Sequence, residues 1–324
     1  MKKFFKSILS VICIFAVALP VTSCAHEHKW GEWQRTETEH WRVCTVCKEE
    51  QRGTHEDHVC SVCAEFKALA LGFDEIGAGF DDAHADFAQD ANKWFSEKGK
   101  ELGFTYEFSK DFSKLNDNDL ANYDLVMFLN NRPYGKDQQA AFERFMENGG
   151  AWMGFHCCTF SMIDDKENNP DYWAWYQDEF VGCGNYVKNT WNPTSEPLKV
   201  ETYNHPATEN LYPEDGTIKS APCEWYGWEY DLFGNDDITV LLTLNPTKEN
   251  PAGDNPTPGK EYEIWYEGCY PIAWANKNYN MVYMNWGHNL RPYNNGTEGT
   301  KSSTFTSEDQ NKFMIDAMFG LTKK

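Results

Sequence analysis

Residues 124–155 read DLVMFLNNRPYGKDQQAAFERFMENGGAWMGF, and this stretch decides the fold. Asp124 to Leu129 is an apolar run of buried-strand length. Gln138 to Met146 reads as a helix, and Asn148-Gly149-Gly150 supplies the stop signal at its C-terminus. Ala151 to Phe155 is then another buried strand. Upstream, Lys67 to Phe73 is a short apolar run with Gly72 near its end. A helix is expected from Asp82 to Leu102, because Phe87, Ala91, Trp94 and Phe95 recur on one face. Phe104 to Phe108 alternates as a further strand. Strands alternating with helices at short spacing predict an α/β fold with a parallel sheet covered by helices on both faces. Ligands on such sheets bind beyond the carboxyl ends of the strands, here the loops after Gly72, Leu129 and Phe155.

Downstream the chain is richer in strands and loops. Strands are expected at Leu198–Tyr203, Ile238–Leu244, Glu261–Tyr266, Pro271–Ala275 and Met281–Trp286. Thr306-Ser307-Glu308-Asp309 opens a last helix with cap chemistry, and Gly320 is expected to close it. The main domain spans residues 66–324.

The chain has 324 residues, with 29 Lys and Arg against 50 Asp and Glu, a formal charge of −21. A surface this acidic repels phosphate backbones, so nucleic acid is not an expected partner. Apolar residues make up 41%, enough for a real core, and aromatics make up 15%, more than core packing needs. Residues 1–23 read as a secretory signal: Lys2, Lys3 and Lys6 precede the apolar stretch Ile8–Pro20. It runs into Val21-Thr22-Ser23-Cys24, which resembles a bacterial lipobox with Cys24 as the lipidated residue. The expected location is the bacterial cell envelope, lipid-anchored to the membrane and facing the periplasm by default.

Residues 24–65 form a small cysteine-rich module. Cys44-x2-Cys47-x12-Cys60-x2-Cys63 can present four thiolates to a structural Zn²⁺, in the manner of a zinc ribbon. Two disulfides are the alternative in an oxidising compartment. Zinc is preferred because paired CxxC knuckles are a stronger signal than lone cysteines. His55 and His58 are substitute ligands. A second metal site at His26 and His28 ranks below a solvated pair. A piece this small has too little core to fold without a staple.

In the main domain the chemistry clusters after strands. His156 occupies the elbow position in Gly154-Phe155-His156-Cys157-Cys158, with the small Gly154 two places before it. His84 follows the first strand, His205-Pro206 follows another, and His288 follows the last. These are the only four histidines of the domain. Glu224-Trp225-Tyr226 lies in a polar–aromatic stretch. Each imidazole taken singly reads as a hydrogen-bonded structural residue. Together with Glu224 they read as a metal or acid–base site. The runs Tyr172–Tyr176 and Trp225–Tyr230 offer rings for the C–H faces of a sugar, with core packing accounting for at least half of them.

On these residues the main domain resembles the ThuA-like (trehalose-utilisation) family, within the class I glutamine amidotransferase-like superfamily. The matching pieces are His84, Gly154-Phe155-His156, His205-Pro206, Glu224-Trp225-Tyr226 and Val282-Tyr283-Met284-Asn285-Trp286-Gly287-His288. The resemblance implies a flavodoxin-like α/β fold and a link to disaccharide or keto-sugar metabolism, without an amidotransferase nucleophile. Cys157-Cys158 departs from the family's smaller residues after the histidine. These cysteines invite oxidation or pairing with Cys183, Cys223 or Cys269.

The first expectation is therefore a carbohydrate-active enzyme, an isomerase, lyase or hydrolase. His156, Glu224 and His288 are its expected catalytic residues, and His84, His205, Trp225 and Tyr226 bind the sugar or disaccharide. A divalent metal such as Zn²⁺, Mn²⁺ or Fe²⁺ suits imidazole and carboxylate, and it would polarise a carbonyl. The alternative is a non-catalytic sugar-binding lipoprotein. A glutaminase-like hydrolase using Cys157 ranks third, because that thiol stands one place past the elbow.

Overall fold

A computed structural model describes residues 27–36, 39–54, 64–75, 82–253, 259–288 and 304–323. The signal segment 1–23, Cys24, Cys60 and Cys63 lie outside them. So do His26, His55 and His58. The chain divides into two compact units, residues 1–55 and 56–324. In the first, β1 (Gln34–Arg35), β2 (Glu39–Val43) and β3 (Glu50–Thr54) form a three-stranded antiparallel sheet.

The second unit opens with β4 (Lys67–Gly72), α1 (Asp82–Leu102) and β5 (Thr105–Ser109). A short α2 (Asp117–Leu120), β6 (Leu125–Leu129), α3 (Lys136–Glu147) and β7 (Ala151–Phe155) follow. Next come β8 (Tyr186–Thr194), β9 (Pro197–Val200), β10 (Thr217–Lys219), β11 (Cys223–Trp228), β12 (Ile238–Leu244), β13 (Tyr270–Asn276) and β14 (Asn280–Met284). The last helix is α4 (Glu308–Thr322).

Nine strands form one sheet in the order β10-β9-β12-β13-β14-β7-β6-β4-β5. The half from β14 to β5 is parallel. The other half is antiparallel, so the sheet is mixed and not wholly parallel as expected. The reason is connection length: only Lys277, Asn278 and Tyr279 separate β13 from β14, which permits a hairpin but no parallel crossover. The strand expected at Glu261–Tyr266 is instead a 3₁₀ turn over Glu261–Glu263, followed by an isolated bridge at Trp265. Its charged residues sit in a segment with no strand partner beyond that bridge.

The parallel strands bury both faces, so their apolar runs split between two core layers. Ala68, Ala70, Leu125, Met127, Met153 and Phe155 meet α1 and α4 in one layer. Leu69, Leu71, Val126, Phe128 and Trp152 meet α3 in the other. That second layer also takes a π-helical segment, Trp175–Phe180. Trp173 stacks on Tyr176 and Trp175 on Phe180. The first aromatic run is thus core, not a sugar platform. The sheet ends at β10, three residues long, and at β5, where Glu107 pairs with Lys114 and accepts from the Tyr123 hydroxyl.

Gly320 does not close the last helix, which continues to Thr322 with Ser307 as its N-cap. A Cβ at Gly320 would lie 2.2 Å from Pro206 Cβ, so glycine is there for close packing. Gly154 has a similar role. A Cβ on it would lie 2.0 Å from the Trp152 ring, which covers the strand two residues back. Gly154→Ala is expected to force that buried indole aside and destabilise the protein by about 1–3 kcal/mol in urea unfolding. An unchanged midpoint would show that the indole relocates without cost.

Candidate functional site

The register of the parallel strands lines up one edge. Gly72 pairs with Leu129, Leu129 with Phe155, and Phe155 with Met284. The residues just beyond those ends therefore face one another. Two of them leave their strands in the left-handed region: Asn130 at φ 59° and His156 at φ 46°. A non-glycine residue pays a steric cost there, so the fold is holding both in place. Gly287, at φ 148°, passes close by. A Cβ on it would come within 2.9 Å of Asn130 Oδ1 and 3.0 Å of His156 Cβ.

Above this edge lies a ribbon of β8 and β11, a separate two-stranded antiparallel sheet. Alternation along β11 sends Glu224 and Tyr226 to one side and Trp225 to the other. Trp225 is fully buried in the core, and its indole donates to the Thr194 carbonyl. The sugar contact expected of Trp225 is therefore replaced by packing. Glu224 and Tyr226 point at the histidines.

His156, Glu224, His288 and His84 converge. Glu224 Oε2 lies 3.4 Å from His156 Nε2 and 3.9 Å from His288 Nε2. His84, in the first turn of α1, packs edge-on against His288 at 4.7 Å between ring centres and lies 5.1 Å from His156. The Tyr226 ring stacks on His156 at 4.2 Å, and its hydroxyl donates to Glu224 Oε2 at 3.1 Å. The Asn189 amide, from β8, donates to the other Glu224 oxygen. Cys157 Sγ lies 3.1 Å from His84 Nε2 and 3.3 Å from the Tyr226 hydroxyl. His156, Glu224 and His288 are buried, whereas His84 and Cys157 are half-buried and form the open side.

Asn285 holds the group together. Its carbonyl oxygen lies 2.8 Å and its Nδ2 2.9 Å from His156 Nδ1. Its Oδ1 accepts from the Tyr226 backbone N–H at 2.7 Å. His156 Nδ1 thus has an acceptor and a donor within reach, so either neutral tautomer keeps an anchor. His156 Nε2 is buried without a hydrogen-bond partner among the described residues.

The electrostatics follow from this packing. Burial pushes the Glu224 carboxyl up, but His156 and the other imidazoles outweigh it and hold the group down at about 2. Burial pulls His156 down, while Cys157 and Glu224 raise it above an ordinary histidine overall. Burial also raises the Cys157 thiol, yet His84 and His156 bring it down to about 6. By contrast burial, with the nearby Glu224 and Cys157, drives Cys223 up to about 12. Cys157, Cys158, Cys183, Cys223 and Cys269 are free thiols, so the pairings expected among them are not formed.

A buried carboxylate needs positive charge nearby. Among the described residues Glu224 pairs only with histidines. A divalent cation would meet that need, and His84, Glu224 and His288 each offer a donor within 4.8 Å of the others. His84, His156 and Cys157 make an overlapping set.

His205 is not brought to this cluster. Its Nδ1 accepts from the Ala207 N–H and burial lowers it to about 4. Its neighbour Pro206 packs on Gly320 of α4. The C-terminal turn of α4 borders Asp124, Gly150 and Asn280, which stand at the amino ends of the parallel strands. His205 therefore belongs to the opposite end of the sheet. Conversely, the sequence reading passed over Asn189, Asn285 and Tyr186, whose ring meets Tyr226 edge-on at 5.1 Å. Asn285 lies within the terminal motif Val282–His288. No signal marked Asn189, because β8 has no clear alternation.

Asn285→Ala is expected to leave the Tyr226 N–H without its acceptor and to cost about 1–3 kcal/mol of stability. Chemical denaturation checks this, and a loss below about 0.5 kcal/mol would remove Asn285 as the anchor.

Comparison with known proteins bears on this geometry. The family model described as ThuA, trehalose utilisation, matches residues 78–298. A solved structure of a ThuA-like protein from Bacteroides uniformis is 31% identical, with a TM-score of 0.64 over 79% of this chain and 90% of that one. A second ThuA-like protein, from Parabacteroides merdae, is 15% identical with a TM-score of 0.53 over 79% and 90%, a likeness of fold alone. No curated protein matches.

Proposed function

We infer the chemistry from the premise that the chain belongs to the ThuA (trehalose utilisation) family. The protein is an enzyme that moves a proton beside the carbonyl of an oxidised sugar or disaccharide. The convergence of three imidazoles and a buried carboxylate at the strand ends carries this reading. A solely aromatic sugar-binding role has less support, since Trp173, Tyr176 and Trp225 are spent on the core.

His156 is the proton carrier. Asn285 fixes its Nδ1 side, which leaves Nε2 as the edge that gains and loses the proton. Glu224 Oε2, 3.4 Å away, stabilises the imidazolium that results. Asn189 and Tyr226 each donate to one carboxylate oxygen and keep Glu224 oriented. A divalent ion held by His84, Glu224 and His288 would supply polarisation of the sugar carbonyl. A sugar enters past the half-buried His84 and Cys157, with Phe160 and Tyr186 as flat faces beside Tyr226.

The test uses the full mature chain with oxidised trehalose and oxidised glucose in D₂O. Proton NMR should show deuterium entering the position next to the carbonyl. His156→Ala and Glu224→Gln should each slow that exchange by about 10²-fold or more. His156→Ala should keep bound metal, whereas His84→Ala with His288→Ala should lose it. Absence of exchange with any oxidised sugar, or full exchange in both single variants, would overturn the reading.

The location is also proposed: the cell envelope, with the chain tethered through Cys24. No helix among the described residues is long and apolar enough to cross a membrane. Labelled palmitate should enter the wild-type chain and not Cys24→Ala. Equal labelling of the two would remove the tether.

A further inference from the structure

The N-terminal unit carries a second cluster of donors, and we propose that His28 is a metal ligand in it. His28 Nδ1 joins the thiolates of Cys44 and Cys47 around one Zn²⁺-type ion. The Cys44–Cys47 turn is shaped for the purpose. Lys48 stands at φ 63°, and its N–H donates to the Cys44 carbonyl at 3.0 Å, while the Cys44 N–H donates to Glu49 at 2.8 Å. A left-handed residue just after the second cysteine curls the chain so that both sulfurs face one point.

A separate strand segment brings His28 to that point. The Thr45 N–H and hydroxyl both donate to the Lys29 carbonyl, at 2.7 and 2.9 Å. The Gly31 N–H donates to Val43 at 3.0 Å, and Trp30 forms a bridge with Cys44. With Lys29, Trp30 and Gly31 fixed, His28 Nδ1 lies 3.5 Å from Cys47 Sγ. All three donor atoms fall within 4.8 Å of one another. The far side of the ring, Nε2, faces Glu49 Oε2 at 3.7 Å. A carboxylate behind a histidine is the usual outer partner of a metal-bound imidazole, since it fixes the tautomer and orientation.

The packing asks for such a staple. Among the described residues of this unit only Cys44 and His40 are buried. A three-stranded sheet with so little core does not hold itself together. Two thiolates and an imidazole form a donor set that suits Zn²⁺. His28 thus adds an imidazole donor that cysteine spacing alone does not suggest.

The experiment uses the full mature chain carrying His84→Ala and His288→Ala, which takes His84 out of both main-domain donor sets and His288 out of one. Metal-free protein is titrated with Co²⁺ and followed by thiolate charge-transfer and d–d absorption. One tightly bound ion with mixed nitrogen and sulfur ligation is expected. His28→Ala should weaken binding by about tenfold or more and shift the d–d bands. X-ray absorption of the zinc-loaded protein should show an imidazole shell, a readout that does not depend on any module variant folding. Three results would overturn the proposal: no bound ion, a disulfide joining Cys44 or Cys47, or a four-sulfur shell unaffected by His28→Ala.

Discussion

The candidate site depends on one residue, Asn285, through its backbone carbonyl and its side-chain amide. It sits just past β14, and its carbonyl, amide nitrogen and amide oxygen all lead to different constraints. Two fix the His156 ring at the end of β7. The third holds the backbone of β11 at Tyr226. A ribbon that shares no ladder with the main sheet is thereby registered to it within a hydrogen bond. Without that registration, the distance between Glu224 and the histidines would be set by loops alone.

The same geometry explains how a carboxylate can remain charged away from water. Desolvation alone would neutralise Glu224, at a cost of several kcal/mol for an unpaired ion. Here one of its oxygens receives Asn189 and the other lies among Tyr226, His156 and His288. The positive charge that balances it comes from imidazoles, groups that can surrender it near neutral pH or exchange it for a metal. A lysine or arginine in the same place would fix the charge permanently and leave nothing to titrate.

Much of this was legible from residue order. The parallel half was readable because apolar runs of strand length alternate with a helical period, and Ala151–Phe155 was placed to the residue. The histidines at strand ends could be marked because strand ends are where such sheets place ligands. The ribbon was not legible. β8 runs Tyr186–Thr194 with little alternation, and β11 packs both faces against different neighbours. Pattern therefore could not separate Trp225, in the core, from Tyr226, in the cluster. His205 misled for a related reason: following a strand does not say which end of the sheet is reached. The antiparallel half hung on connection lengths, which hydropathy does not encode.

The ends of the nine-stranded sheet have a consequence for how the chain behaves in a crowded compartment. A sheet this wide offers two rows of unpaired backbone groups to any neighbour. One edge, β10, spans only Thr217–Lys219, too short a template for a stable intermolecular ladder. The other, β5, carries the charged Glu107 mid-strand, and a charged side chain on an edge strand opposes pairing with a second strand. Both borders thus discourage self-association through strand pairing. The width that lets the sheet carry a covering ribbon is gained without an aggregation-prone margin.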